Sequence, residues 1–540
     1  MATMLPDDVL YLICEQLAFQ RQFDTLFSCI GTGKRLAVPA LTHLYRNYHE
    51  SPLIREGTEN LPLAQQELLV QKWSILWRSI ILSSMGQTIF PYSRYLKLLD
   101  LRDLHLLFED DKFRGKISKN FFSGDLARFN IPQDTPTKFR SARGPRLNVV
   151  AAINTIGEVI TQDAPMLEQI TGEVLASSLV AWAPRLSNLR SLWIWDGKAL
   201  ADDAVQTLIH THCHKFDALT VFSWKTEDAD HKLSTFISGF RENLLRLFQT
   251  ISDAGVGAET LLALNNHGSS LKELKLGLKA DFLPQLAFLK GCVNLEVFSL
   301  TVYGVNSYIE KTDNESFEEI IAWLRECKDL RELKFDNFNS GATLLTTLLI
   351  DDNIRLHKLD LNSYEGRNHR AFHVALQNQA TLRSLLLQGD SEDMVGDEIE
   401  ILLDSVTSLT GLRELNLGRM SDFFNDMHIT RLATHLTNLE ELVVSGWNVT
   451  DRVLHQVSTL KNLRSVTFEG LSAFSAKGLH GFIRSLSPSN RGLAIAVQAA
   501  DQDRDFLTDE EQAIIREEIA AKVGGSFDYI FFRVIQIDAP

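Results

Sequence analysis

Two rhythms of apolar and polar positions run along this chain. At its start, "LPDDVLYLICEQL" sets Val9, Leu10, Ile13, Cys14 and Leu17 on one helical face. Pro6 suits a first helical turn, and Asp7 and Asp8 favour its positive end. "FDTLFSCI" follows, with Phe23, Leu26, Phe27 and Ile30, and then "RLAVPALTHLYR". Three short helices are therefore predicted within residues 1–50. So small a unit buries little surface alone and calls for a partner or the rest of the chain.

The second rhythm is LxxLxL. It recurs as "LKLLDL" at 96, "LRSLWI" at 189, "LKELKL" at 271, "LRELKF" at 330, "LHKLDL" at 356, "LRSLLL" at 382, "LRELNL" at 412, "LEELVV" at 439 and "LRSVTF" at 463. Weaker copies are "FDALTV" at 216, "LLRLFQ" at 244, "LEVFSL" at 295 and "LAIAV" at 493. Steps of 24 to 30 residues dominate, the range of leucine-rich repeats. Helical patterns fill the intervals, among them "DDAVQTLIHTH", "SFEEIIAWLREC", "DEIEILLDSVTSL" and "TDRVLHQVSTL". One strand and one helix per step predict an α/β fold: a curved solenoid with a parallel sheet on its concave side and helices outside, over residues 96–500.

Three segments depart from both rhythms. "QKWSILWRSIILSS" places Trp73, Trp77, Ile80 and Ile81 at helical spacing, so residues 51–95 are expected to form a helical linker packing the first helices on the solenoid. A membrane reading of that segment is the alternative. The step from 96 to 189 is too long for one repeat and contains "RFNIPQDTPTKFRSARGPR", so an exposed loop is expected near 110–145. Residues 501–540 are expected to cap the last repeat. Thr508 and Glu511 form a capping box for a helix, Gly524 and Gly525 end it, and "YIFFRVIQI" reads as a buried strand.

Composition narrows the function. The 540-residue chain has a formal net charge of −15, which argues against nonspecific binding to nucleic acid or to an anionic membrane. No apolar run approaches the ~20 residues that span a bilayer. The N-terminus carries acids where a signal peptide carries positive charge. Five widely spaced cysteines with no CxxC pair read as reduced thiols of a cytoplasmic or nuclear protein. Asn448-Val449-Thr450, a glycosylation match, is a chance match without a secretory route.

Three stretches imitate catalytic or metal-binding motifs. "CIGTGKR" imitates a phosphate loop, but Ser28 stands where the first glycine belongs, Arg35 where the hydroxyl belongs, and a helix rather than a strand precedes it. It reads instead as a turn, with Gly31 or Gly33 in a left-handed helix cap. "HTHCH" offers His210, His212, Cys213 and His214, but at a helix end and without a fourth ligand. "DQDRDFLTDEEQ" fails as a calcium loop, with Phe506 at the turn glycine and Gln512 at the bidentate glutamate. There is no GxSxG and no HExxH. Neither a cofactor nor a metal site is expected, and binding is favoured over catalysis.

Leu5-Pro6, the acidic pair, the Val9/Leu10/Ile13/Leu17 stripe, the second helix and the basic "GKRL" turn together resemble the F-box, over residues 4 to 46. The usual tryptophan near the end of that motif is absent, and Tyr45 or Tyr48 stands in its region. With the repeats, the chain is similar to the family of F-box proteins with leucine-rich repeats, especially its fungal members. That resemblance implies a substrate-recognition subunit of an SCF-type ubiquitin ligase. Its F-box would bind the adaptor through Leu5, Pro6, Val9, Leu10, Ile13, Leu17 and Leu26, with cullin and RING subunits joining indirectly. The stripe packing inside the same chain is the alternative, and a leucine-rich scaffold without any ubiquitin role is the rival function.

A target protein would sit on the concave face, where the x positions of LxxLxL point outward. Trp193, Trp195 and Phe222, with Trp224 just beyond, predict an aromatic patch, since tryptophans are enriched at binding hot spots. Lys334 and Asp336 belong to a mixed polar floor with Glu273, Lys275, Glu332, Lys358, Asp360, Glu414 and Asn416, and Trp447 lies further along. Alternatively the aromatics pack beneath the 110–145 loop.

Overall fold

The computed structural model describes residues 5–51, 61–133, 146–305, 308–364, 366–367, 369–389, 394–447, 449–500 and 506–531. The chain divides into two compact units, Met1–Ala263 and Leu264–Pro540.

The first unit begins with the three helices that the sequence predicts: α1 (Asp7–Phe19), α2 (Phe23–Thr32) and α3 (Lys34–Arg46). Cys14, Ala18, Leu26 and Ala40 form a small core, with Leu17, Cys29, Ile30, Leu36 and Leu44 packed on it. The GTGK turn is a hinge between α2 and α3. Gly33 is extended, with φ 173°, and Gly31 lies inside α2, so neither is the expected left-handed cap. Arg35 explains the turn's basic character. Its Nε donates to Asp7 Oδ1 at 2.7 Å and its Nη2 to the Leu5 carbonyl at 2.7 Å, tying the start of α3 to the start of α1.

Helix α4 (Leu63–Ser84) follows, with Trp77, Ile80 and Ile81 fully buried. Then come β1 (Leu98–Asp100), α5 (Leu101–Glu109), α6 (Lys116–Phe121), α7 (Val149–Asp163) and β2 (Gln169–Gly172). β3 (Ser191–Asp196), α9 (Asp203–His212, after α8 at Ala176–Trp182), β4 (Ala218–Ser223), α10 (Ala229–Ser238) and β5 (Leu247–Thr250) continue the alternation. The five strands pair in parallel in chain order. Residues 110–133 are not the exposed loop expected there. Phe113, Phe121, Phe122, Leu126 and Phe129 are buried, and the Phe108, Phe113, Phe121 and Phe122 rings pack together, because five phenylalanines cannot stay in water. Residues 134–145, the Pro- and Arg-rich part of that expected loop, lie outside the described residues.

β2 has no LxxLxL signature, and Gly172 is the reason. Its φ is +125°, and a Cβ there would lie 2.7 Å from the backbone nitrogen of Arg102. The first turn of α5 occupies the space that a third leucine would fill. At β5 the expected phase slips by one residue. Leu245, Phe248 and Thr250 face inward, rather than Leu244, Leu247 and Gln249.

In the second unit β6 (Glu273–Lys279), β7 (Val297–Tyr303), β8 (Glu332–Asp336), β9 (Lys358–Tyr364), β10 (Ser384–Gly389), β11 (Glu414–Leu417) and β12 (Glu441–Val444) pair in parallel, each with the next. β13 (Val449–Thr450) and β15 (Ser472–Ala473) form a short side row, while β14 (Ser465–Phe468), β16 (Ala494–Ala500) and β17 (Ser526–Phe531) extend the main one. The LxxLxL leucines point inward as expected: Leu274, Leu276, Phe298, Leu300, Leu333, Phe335, Leu359 and Leu361 are all buried. The C-terminal helix Asp509–Val523 has its Thr508/Glu511 capping box, and Gly524 ends it in the left-handed conformation at φ 67°. β17 then closes the row against β16. The remainder of the expected strand, residues 532–537, lies outside the described residues.

Polar side chains fasten consecutive repeats. Asp426 accepts from the Thr450 N–H and hydroxyl, and Asp451 likewise from Ser475, each 24 residues on. Asp230 accepts from the N–H groups of Gly257, Glu259 and Thr260. Asn188, Asn294 and Asn438, each just before the first leucine of a repeat, donate back to Pro165, Ser269 and Thr410 carbonyls. These bonds satisfy helix starts and loop carbonyls that repeat stacking would otherwise bury bare.

Candidate functional site

The first candidate surface lies on α1–α3. Of the seven residues expected to face an adaptor, Leu5 (51% exposed), Pro6 and Ile13 (40%) are exposed, Val9 and Leu17 are half-buried, and Leu10 and Leu26 are buried. The expected stripe is thus split. Leu10, Cys14 and Ala18, at i, i+4 and i+8, turn into the three-helix core, and Leu5 and Ile13 lie off that line. The structure adds Leu12, Phe19, Phe27 and Val38, all exposed. Phe19 (83%) and Phe27 (71%) interrupt otherwise polar positions, which is the signal that could have found them.

Behind this surface the helices are fixed by aromatic and polar contacts. Tyr45 hydroxyl is 2.9 Å from Ser79 Oγ on α4, and its ring stacks on Tyr92 at 4.4 Å. Tyr48, buried, meets Trp77 edge-on at 5.5 Å, and its Oη accepts the Asp100 N–H at 2.9 Å. Tyr45 and Tyr48 therefore face α4 and β1. At the centre, Asp103 Oδ2 accepts both indole N–H groups of α4, from Trp73 at 2.9 Å and Trp77 at 2.6 Å. Burial pushes its carboxyl up to about 7, against the opposing pull of those two bonds.

The second surface is the outward face of β1–β5. Register aligns Asp100, Thr171, Trp193, Thr220 and Gln249 in one row. The Arg102 guanidinium lies 4.8 Å over the Trp193 ring, His105 packs on Trp195 at 5.4 Å, and Trp195 on Phe222 at 6.4 Å. Trp193 and Trp195 are half-buried and Phe222 is 43% exposed, so three of the four expected aromatics do share a face. Arg102 and His105 of α5 partly cover them, and residues 134–145 of the segment expected above them lie outside the described residues. Trp224 is a correction: it is 1% exposed, with its ring against Gly197 and its Nε1 donating to Thr226. β4 ends at Ser223, so strand alternation no longer governs where residue 224 points.

The third surface is the outward face of the second unit's strands. Lys334 and Asp336 are brought beside Asp360 and Asn362 by the β8–β9 register. Lys275 pairs with Glu273 at 3.0 Å and Lys334 with Asp360 at 3.3 Å. Trp447 and Phe423, exposed by about half, have ring centroids 6.5 Å apart.

Among the described residues no group of three or more metal-ligating side chains comes together. His210 Nε2 lies 2.8 Å from the Phe236 carbonyl, its ring packs on Phe240, and burial lowers its pKa. All five cysteines are free; Cys14, Cys213, Cys292 and Cys327 are buried. No helix among the described residues is long and apolar enough to cross a membrane.

No family model and no curated protein matches this chain. Among solved structures it is similar to a chain of the crystal structure of the Rad7 and Elc1 complex in yeast. That match has 13% identity and a TM-score of 0.40, covering 76% of this chain and 91% of the other.

Proposed function

We propose that this chain is a non-catalytic, protein-binding subunit: the substrate-recognition component of an SCF-type ubiquitin ligase. The observation that carries the reading is the bare apolar set on α1–α3. These helices already hold a core of their own, yet Leu5, Leu12, Ile13, Phe19 and Phe27 remain in water. Large apolar side chains left exposed on so small a helical unit suit a protein-docking surface. With the F-box resemblance of residues 4–46, the partner is the SCF adaptor, which carries cullin and RING subunits. The outward faces of the repeat strands then hold the target, with Trp193, Trp195 and Phe222 as its aromatic contacts. Catalysis in such an assembly is proximity: a held target raises the effective concentration of its lysines at the conjugating enzyme.

The test is co-expression with the adaptor followed by size-exclusion chromatography. Removing residues 1–50 is the wrong variant, because it strips Tyr48 from Trp77 and Asp100. Ile13→Asp and Phe27→Asp change exposed positions instead. A one-to-one complex with the native chain, lost in both variants at unchanged melting temperature, supports the reading. A well-folded native chain that forms no complex refutes it and leaves a leucine-rich binding protein without a ubiquitin role.

A further inference from the structure

Strands β8 and β9 gather polar groups whose hydrogen-bonding capacity is unequal. Lys334 lies opposite Asp360, and Asp336 opposite Asn362. Lys334 Nζ reaches Asp360 Oδ2 at 3.3 Å. The other carboxylate oxygen, Asp360 Oδ1, is buried with no hydrogen-bond partner, and so is Asn362 Oδ1. Asp360 as a whole is only 7% exposed. Burial pushes its carboxyl above the usual range, with Lys334 pulling the other way. Buried polar atoms in native proteins are nearly always paired, with protein groups or ordered water, so two such acceptors on one strand face have capacity for donors brought by a partner.

The neighbours define what shape of donor fits. On the β10 side, Asp360 is aligned with Leu386, which is half-buried and cannot donate. On the β7 side, Lys334 is aligned with Ser299. Just past Asn362, Ser363 is an extra residue in β9: Asn362 pairs with Gln388 and Tyr364 with Gly389. Ser363 takes φ +59°, rare for a residue with a Cβ. Bulges and left-handed non-glycine residues concentrate beside binding sites, where they re-aim the chain. Both unpartnered atoms are acceptors, so a phosphate or carboxylate brings the wrong groups.

We infer that this patch receives a long basic side chain, arginine or lysine, from an extended segment of a bound protein, its aliphatic stem on Leu386 and its N–H groups on Asp360 Oδ1 and Asn362 Oδ1. Basic side chains commonly lay an apolar stem on apolar surface while the head seeks a polar partner. Charge-assisted bonds to a carboxylate are the stronger kind. The inference rests on the target-binding reading of the repeat strands, but not on adaptor docking.

A peptide array of random 12-residue sequences, probed with the purified full-length chain, tests it without any adaptor. Enrichment of arginine or lysine at a fixed spacing in bound peptides is expected, and absence of such enrichment overturns the inference. The best peptide is then measured by fluorescence anisotropy. Asp360→Asn is expected to weaken it by about ten-fold or more. Glu326→Gln, at the exposed end of the helix Asn314–Glu326, removes the same charge elsewhere and is expected to change affinity less than about two-fold, as surface charges do. Equal losses in the two variants would mean attraction to a chain of net charge −15 in general, and would overturn the site. Lys334→Met, which removes the internal competitor for Asp360, is expected to tighten binding, a direction that misfolding cannot produce.

Discussion

Replacing Asp103 by asparagine tests the centre of the first unit. Asp103 is 3% exposed, at the start of α5, and one of its oxygens accepts two indole N–H groups while the other is buried without a partner. Its folded pKa, pushed up to about 7 by burial, stands above the ordinary aspartate value of about 4. The folded state therefore binds more protons than the unfolded state between those values. Stability from this group is fully present below pH ~4, falls as pH rises, and stops falling once pH passes ~7. A shift of about three units corresponds to about 4 kcal/mol in all, of which ~2 to 3 kcal/mol falls between pH 5 and pH 8. Asparagine keeps the shape and the acceptor oxygen for Trp73 and Trp77 but never ionises. Urea denaturation followed by tryptophan fluorescence at pH 5 and pH 8 gives both stabilities, and the pH difference within each protein isolates the titration. Asp103→Asn is expected to gain on the native chain by ~2 to 3 kcal/mol over that interval. Equal pH dependence in the two proteins would refute a charged, desolvated Asp103. Asp103→Ala, which orphans both indoles, is expected to lose stability at either pH.

Other expectations follow from single contacts. Gly172→Ala should cost on the order of 3 kcal/mol in urea unfolding, because φ +125° and the Arg102 backbone at 2.7 Å both oppose a Cβ. Trp193→Ala with Trp195→Ala should weaken target capture while sparing the adaptor complex and the melting temperature. Trp224→Ala should instead cost about 3–5 kcal/mol as a core deletion, so thermal melts separate the two aromatic classes. Maleimide labelling of the native chain should modify Cys29 alone at an appreciable rate. Cys213, Cys292 and Cys327 are buried with thiols pushed up to about 12, and Cys14 is buried with its pKa raised; a second fast thiol would contradict that packing.

Most strands were legible because LxxLxL records a simple fact: alternate side chains of a strand enter the core. The reading failed where something other than periodicity decided. At β2 a helix turn replaced a leucine, and only glycine leaves room for it. At β5 two adjacent leucines, Leu244 and Leu245, offered two phases, and packing chose the second. Trp224 lies one residue past its strand, where alternation has ended. Around α1 the stripe correctly marked a helix but not which part of the stripe faces its own core, since that depends on how three helices cross. The Asp103–Trp73–Trp77 cluster joins residues 26 and 30 positions apart, and no local pattern announces it. The asparagine before the first leucine of three repeats was visible in "SNL", "VNL" and "TNL", and a repeat alignment would have found it.

The tie from Tyr48 to Trp77 and Asp100 has a mechanical meaning for the proposed ligase. An adaptor docked on α1–α3 is joined to the strands β1–β5 through a packed, hydrogen-bonded joint, so it cannot swing freely about them. A target gripped at Trp193 and Trp195 is then presented at a set angle and height. Which of its lysines come into range becomes a matter of leverage, and loosening the joint at Tyr48 would redistribute the modified lysines without changing how tightly the target is held.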